Sequence, residues 1–283
     1  MKPLRSTVLP VLAYLSLALP ALARTLRCPP DSVKVGNVCS DLYEASVWQI
    51  APTNTALVKK VQAGKATLAD LTGGGAVQLG CTSALFHQTA YPANFPSDGN
   101  WTPVLGSSPP SPGVYAVSIP GVLPSTGITW FQANQACLLS GKRLLTNREW
   151  QGAAAGTPDP GSTPGPMDCN TNSGGPSNTG SRTNCKSNWG EFDMLGNVAE
   201  WVADWSDLAQ SCTDWTSQTG IAGGDLSCFG GPGDSGGKPF FSIPSPLIRG
   251  GGWIDGTGAG VFAVSALGPP SFAACNFGFR CAR

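Results

Sequence analysis

The residues able to do chemistry in this chain of 283 residues are few and do not form an evident catalytic group. Residues 233–237 read Gly-Asp-Ser-Gly-Gly, which matches the nucleophile loop of serine proteases, where backbone N–H groups form an oxyanion hole. Such an enzyme also needs a histidine base, and the single histidine, His87, lacks the Ala-Ala-His-Cys setting of that base. One histidine also excludes metal centres built from several imidazoles. We therefore expect no protease activity and interpret His87 as a loop residue.

Ten cysteines are the other reactive groups, and their spacing favours disulfides over metal or redox chemistry. All ten follow residue 23, and an even number is typical of an exported, bridged fold. None has the CxxC spacing of a zinc or redox site. Short separations predict three closed loops: Cys28 with Cys39, Cys169 with Cys185, and Cys212 with Cys228. Spacing alone leaves the other four cysteines unassigned.

Residues 1–23 are typical of a secretory signal peptide. Lys2 and Arg5 precede an apolar run, and Ala21 and Ala23 stand where a signal peptidase reads small residues. The run is shorter than the roughly 20 residues that span a bilayer. We therefore predict a secreted or periplasmic protein without a membrane span, with one domain over residues 24–283.

Composition and charge narrow the class of partner. Lys plus Arg (17) equals Asp plus Glu (17), without long runs of one sign, so a nucleic-acid surface is not indicated. Apolar residues make up 41% of the chain, whereas Gly (37) and Pro (25) are abundant. These values indicate a globular but loop-rich fold.

Two helices must position the middle of the chain. Thr129 begins a capping-box pattern that predicts a helix over about 130–140. Thr146 begins a second such pattern, and the helix that it predicts ends at Gly156. Residues 157–188 are rich in Gly, Pro, Ser, Thr and Asn, which indicates a long ordered loop.

Four sequence blocks follow one another in a specific order. They are 141–150 (GKRLLTNREW), 193–201 (DMLGNVAEW), 249–253 (RGGGW) and 278–281 (GFRC). The series closely resembles the family of the formylglycine-generating enzyme, also called the sulfatase-modifying factor family. A weaker match at 38–44 extends the resemblance over nearly all of the chain after the leader. It implies an α+β, C-type lectin-like fold of the sulfatase-modifying factor type, here loop-rich and stapled by disulfides.

The resemblance argues against the chemistry for which this family is known. Members that oxidise sulfatase cysteines bind copper through two closely spaced cysteines between the last two blocks, where this chain has only Cys275. The related iron-dependent sulfoxide synthases need several histidines, which His87 alone cannot supply. We therefore expect no copper, and an oxidase or other enzyme with an altered site stays the alternative function. The resemblance also implies a Cys137 to Cys281 bridge and leaves Cys81 and Cys275 open.

Family members can hold a calcium ion through hard oxygen ligands. The matching positions here are the side chains of Asp193 and Glu200 and the backbone carbonyls of Gly196 and Val198. The alternative is that Asn197 and Glu200 only brace the turn around Trp201 and Trp205.

The segment between the last two blocks also resembles the variable proteins of diversity-generating retroelements, which share the lectin-like fold. In those proteins a fixed frame surrounds positions, Asn in the template, that adenine-targeted mutagenesis rewrites. We expect Trp253, Phe262 and Phe279 to hold the frame. The expected contact positions are Ile254, Asp255, Ser265, Leu267, Phe272, Ala274 and Asn276. We interpret the protein as an exported module that binds a protein or cell-surface ligand, with ordinary loop drift as the alternative for this segment.

Overall fold

The computed structural model describes residues 26–82, 91–96, 112–206, 245–266 and 268–283, and the strand positions of 211–214 and 226–229. The predicted signal peptide, His87, the 233–237 loop and Leu267 lie outside these residues. Within the described residues, no helix has the length and apolar character needed to cross a bilayer.

The first half of the chain alternates short strands and helices. In order these are β1 (Ser32–Val35), β2 (Val38–Asp41), β3 (Ser46–Ile50), α1 (Thr55–Gln62), α2 (Leu68–Gly73), β4 (Val77–Leu79), β5 (Gly113–Val117), α3 (Trp130–Leu139), β6 (Arg143–Leu144) and α4 (Asn147–Ala153). The second half contains strands and turns. Its strands are β7 (Ala199–Ser206), β8 (Ser211–Asp214), β9 (Leu226–Phe229), β10 (Ser245–Arg249), β11 (Val264–Ser265), β12 (Phe277–Phe279) and β13 (Cys281–Ala282).

These strands form three sheets, and the last two strands of the chain, β12 and β13, belong to different sheets. The sheet orders are β1-β2-β13-β6, β4-β3-β5 and β12-β7-β10-β11-β9-β8. Strand β12 pairs in parallel with β7, whereas β13 pairs antiparallel with β2 and β6. The final strands therefore join the beginning, the middle and the end of the chain, as the mixed α+β, lectin-like fold requires.

Helix α3 confirms the first predicted helix, and its cap explains where it begins. The Thr129 hydroxyl accepts from the Gln132 amide, and the Gln132 side chain accepts from the Thr129 amide. Ala133, Ala136 and Cys137 are fully buried against the sheets. Small side chains on this face let the helix approach the sheets closely.

Helix α4 also has its predicted capping box, but it ends at Ala153, three residues before the predicted end at Gly156. The chain turns away because the Asn188 amide donates to the Ala155 carbonyl at 2.8 Å, so the long loop takes the place of the next helical turn. Gly156 has a φ of +80°, which is incompatible with a right-handed helix.

The disulfides connect distant parts of the fold. The predicted Cys28–Cys39, Cys169–Cys185 and Cys137–Cys281 bridges are confirmed. The structure also assigns the open pair, because Cys81 is bonded to Cys275, 194 residues later. For the predicted Cys212 to Cys228 bridge only the backbone is described, and it places these residues opposite each other in the antiparallel pair β8–β9.

Candidate functional site

The expected contact segment begins at Arg249, whose side chain closes the loop that follows β10. Its Nε donates to the Ala263 carbonyl and its Nη2 to the Val261 carbonyl, both at 3.0 Å. The guanidinium also lies over the Trp150 ring, 4.5 Å from the ring centroid. Residues 250–263 are thereby held as a closed loop on the sheet.

Within this loop, a turn and a short 3-10 helix (Gly256–Gly258) carry the first two predicted contact residues. The buried Trp253 anchors the turn, and its amide donates to the Asn197 carbonyl at 3.0 Å. Ile254 points outward and is 53% exposed. Asp255 is exposed as a residue, but its carboxylate accepts from the Gly252 amide at 2.7 Å, so it also stabilises the turn.

Residues 268–276 carry the next group of predicted contact residues, fixed by their backbone. The Ala274 carbonyl accepts from the Gly127 amide at 3.0 Å, and the Asn276 carbonyl accepts from the Ala199 amide at 2.8 Å. Between them, Cys275 is bonded to Cys81. Backbone hydrogen bonds and the Cys275 disulfide therefore hold this segment without help from the side chains of Phe272, Ala274 and Asn276.

The two loops meet beside Asn276, so the predicted positions share one region. A Cβ atom at Gly252 would lie 3.4 Å from the Asn276 carbonyl oxygen. The Phe272 side chain is 46% exposed and contacts Phe277 edge to face, with ring centroids 5.7 Å apart.

The exposure of the predicted residues divides them into three groups. Ile254, Asp255 and Phe272 are exposed, Ser265, Ala274 and Asn276 are half-buried, and Leu267 is not among the described residues. As expected of frame residues, Trp253 and Phe279 are buried. The expectation for Phe262 was wrong: it is 40% exposed, because the turn closed by the Ala263 amide on the Gly260 carbonyl places Ala263 inside instead.

The residues expected to hold calcium lie in a buried network that already has its own cation. Both oxygens of Glu200 are occupied: Oε1 lies 2.7 Å from Arg280 Nη2, and Oε2 accepts from Trp150 Nε1 at 2.7 Å. A calcium ion at Glu200 would face the Arg280 guanidinium. Glu200 therefore does not fit a calcium ligand; its contacts join Trp150 to Arg280.

The other three expected ligands adjoin the same network. The Asp193 carboxylate accepts from the Gly180 amide at 2.9 Å, and burial raises its pKa to about 6. The Val198 amide donates to Glu44 at 3.0 Å. Gly196, in the turn between Asp193 and Val198, has a φ of +74°. Without Glu200, these three positions do not make up the ligand set expected for calcium.

An exposed aromatic group beside this region was missed by the sequence reasoning. Phe131 and Trp205 are 53% and 41% exposed and both contact the half-buried Trp130. Trp130 and Phe131 adjoin each other at the start of α3, but Trp205 comes from β7, more than 70 residues later. No local pattern could have grouped them.

Residues 49–283 match the family described as the Sulfatase-modifying factor enzyme 1-like domain. The chain belongs to this family. The match spans the four sequence blocks, the α3 cap and the Glu200 to Arg280 pair. No curated protein matches the chain.

Solved structures that are similar to this chain include three proteins. The Major Tropism Determinant P3c Variant has a TM-score of 0.44 and 17% identity, covering 90% of this chain and 52% of the other. PvdO from Pseudomonas aeruginosa has a TM-score of 0.39 and 18% identity, covering 87% and 80%. Treponema denticola variable protein 1 has a TM-score of 0.34 and 20% identity, covering 73% and 83%. The chain spans about half the length of the Major Tropism Determinant P3c Variant.

Proposed function

We propose that this chain is an exported binding module whose C-terminal segment, residues 249–281, contacts a protein or cell-surface ligand. The observation that carries the proposal is a separation of roles within that segment. Trp253 and Phe279 are buried, whereas Ile254 and Phe272 are exposed on loops that backbone hydrogen bonds and disulfides hold. A fixed framework that carries exchangeable side chains is the arrangement of binding loops in other recognition proteins.

Export is supported by the disulfides and by the N-terminal sequence. Four bridges among the described residues are typical of proteins that fold in an oxidising compartment. Residues 1–23 carry the pattern of a signal peptide.

Diversification of the surface is part of the same proposal. Each expected contact residue can be reached from an Asn codon by changes at adenines. The gene and its flanking DNA should therefore be sequenced from several isolates. We expect a near-copy of the codons for 249–281, differing mainly at adenines, beside a reverse transcriptase gene. Substitutions spread evenly over frame and contact positions would support ordinary loop drift instead.

Binding is tested on intact cells with fluorescently labelled protein. The variant combines Ile254→Ser and Phe272→Ser, and the matched control is Leu68→Ser, an apolar side chain of α2 that is 41% exposed. We expect the double variant to lose cell binding while its melting temperature stays near that of the control. Unaltered binding by the double variant would refute the contact surface.

The enzymatic alternative has a direct test of its own. Cys275, the only cysteine between the last two sequence blocks, is bonded to Cys81 and offers no thiolate to a metal. Incubation with a sulfatase peptide, copper and oxygen should leave the substrate cysteine unmodified. Detection of formylglycine by mass spectrometry would replace the binding proposal with the oxidase alternative.

A further inference from the structure

Three aromatic side chains, Trp130, Phe131 and Trp205, form what we call the aromatic group. The Trp130 ring lies nearly perpendicular to Trp205 (81°, centroids 5.0 Å apart) and to Phe131 (84°, 5.7 Å). Phe131 and Trp205 are tilted by 58° at 6.4 Å. The rings therefore face different directions around one surface point, and two of them are largely exposed.

The group is fixed in place and adjoins the proposed contact surface. Trp130 Nε1 donates to the Val202 carbonyl at 2.8 Å, which holds the indole against β7. The Trp130 amide donates to the Pro270 carbonyl at 3.1 Å, within the loop that carries Phe272. The hydrogen bond between Trp130 and Pro270 therefore connects the aromatic group to the loop that carries Phe272.

The segments that build this surface carry acidic but no basic exposed side chains. Helix α3 has no ionisable residue other than the bridged Cys137, and the only charged residue in 250–279 is Asp255, which is exposed. Strand β7 has two acidic residues. Glu200 is buried, whereas Asp204, next to Trp205, is exposed.

One exposed cation of the described residues, Arg148, lies on the neighbouring helix α4. The Asp204 carboxylate accepts from the Asn147 amide, and Arg148 follows on α4. Arg148 offsets part of the Asp204 charge, so the ring faces themselves must supply most of the attraction for a cation. Aromatic faces attract guanidinium and ammonium groups, tryptophan most strongly.

We propose that the contact surface extends over the aromatic group and takes up an arginine or lysine side chain of a protein partner. This inference rests on the proposed function and specifies the chemistry of its partner. Two of the rings expose part of their surface to a cation, and the neighbouring Asp204 carboxylate complements its charge. Arg, Trp and Tyr are the residues most often found at the energetic centre of protein interfaces.

The probes are short peptides that differ only in the two side chains at the arginine positions. A Gly-Arg-Gly-Arg-Gly peptide is compared with the same peptide carrying citrulline, which has nearly the shape of arginine without its charge, and with a leucine version. Binding is measured by calorimetry and by tryptophan fluorescence. We expect the citrulline peptide to bind roughly two- to fivefold more weakly than the arginine peptide.

Matched variants locate the site. Trp205→Leu and Phe131→Leu should each weaken the arginine peptide to the level of the citrulline peptide. The control is Trp189→Leu, which removes a tryptophan that is 45% exposed directly after the long loop and should leave binding unchanged. The conservative Trp205→Phe should keep most of the binding and guards against a folding defect.

Several outcomes would overturn the inference. These are equal binding of the arginine and citrulline peptides, preference for the leucine peptide, equal loss in the Trp189 variant, or no peptide binding. The proposed function is judged separately by cell binding. If cell binding depends on Ile254 and Phe272 but not on Trp205, the function stands and this inference fails.

Discussion

Glu200 on β7 and Arg280, between β12 and β13, form an ion pair inside the fold, with Glu200 Oε1 2.7 Å from Nη2 and 2.9 Å from Nε. Arg280 also donates to the carbonyls of Asp41 and Phe192. One guanidinium thus joins the N-terminal sheet, the turn before β7 and the end of the chain. Because both side chains are almost completely buried, water cannot replace either partner of the pair.

Loss of this arginine should be costly. Removing one partner of a buried pair leaves the other charge uncompensated, so we expect Arg280→Met to lower the free energy of unfolding by about 3–5 kcal/mol. Urea unfolding followed by tryptophan fluorescence measures the change. The control is Arg143→Met, whose pair with Glu149 is partly exposed and should contribute less than about 1 kcal/mol. Similar losses in the two variants would contradict this interpretation.

The Cys137–Cys281 bridge should contribute strongly to stability. It closes a loop of 144 residues, and a bridge of this span restricts the unfolded chain by an amount worth about 4–5 kcal/mol. We expect Cys137→Ala with Cys281→Ala to lower the free energy of unfolding by up to that amount. Peptide mapping without reduction should recover all four described bridges and a Cys212 to Cys228 peptide pair. Cys281 joined to another cysteine would contradict the fold.

Frame and contact positions should differ in their effect on stability. Trp253→Ala and Phe279→Ala empty buried sites and should each cost about 3–5 kcal/mol. Ile254→Ser, at an exposed position, should cost less than about 0.5 kcal/mol. Asp255→Ala should cost about 0.5–1.5 kcal/mol, because its carboxylate accepts the Gly252 amide. Thermal melts rank these variants, and a large loss from Ile254→Ser would show that this position belongs to the core.

Buried carboxyl groups should make the protein more stable at mildly acidic pH. Burial raises the pKa of Glu191 to about 7, against the opposing effect of Arg280, and raises the pKa of Asp41 to about 6 despite Lys142. A carboxyl group with a raised pKa in the folded state binds its proton more tightly there. Its stabilising contribution is full below the unfolded pKa and is lost as pH rises through about 6 to 7.

Unfolding free energies measured from pH 5 to pH 8 should therefore fall as pH rises. Glu191→Gln, which keeps the shape and removes the titration, should reduce the slope. At lower pH the trend reverses, because the hydrogen bond from Arg143 lowers the pKa of Glu149, and protonation there removes stability. Stability that increases steadily from pH 5 to pH 8 would contradict this assignment.

Calcium should have little effect on stability. Since both oxygens of Glu200 are occupied by Arg280 and Trp150, adding excess calcium or EDTA should leave the melting temperature unchanged. Calorimetric titration with calcium provides an independent measurement. An increase in melting temperature that Asp193→Asn abolishes would restore the calcium site expected from the sequence.

The sequence by itself determined the features that depend on near neighbours. The capping boxes at Thr129 and Thr146 were visible because a cap needs only the next three residues. The Cys28–Cys39 and Cys169–Cys185 bridges were visible because each closes a short loop. The family was visible because its four blocks keep their order.

Other features needed the fold, and the N-terminal part of the chain was the largest omission. Helices α1 and α2 and the β4-β3-β5 sheet were not predicted, although Thr67 carries a capping box at the start of α2. The three strands of that sheet are only 3 to 5 residues long. Such short segments show little periodicity, so pairing between distant strands decides their structure.

Only the tertiary structure decided what each candidate residue does. Glu200 is the partner of Arg280, 80 residues away, and this contact arises from the parallel pairing of β12 with β7. Phe262 is exposed because a local turn selects Ala263 for the interior. Trp205 reaches Phe131 because β7 lies beside the start of α3. In each case the residue type was compatible with several roles, and long-range packing selected one of them.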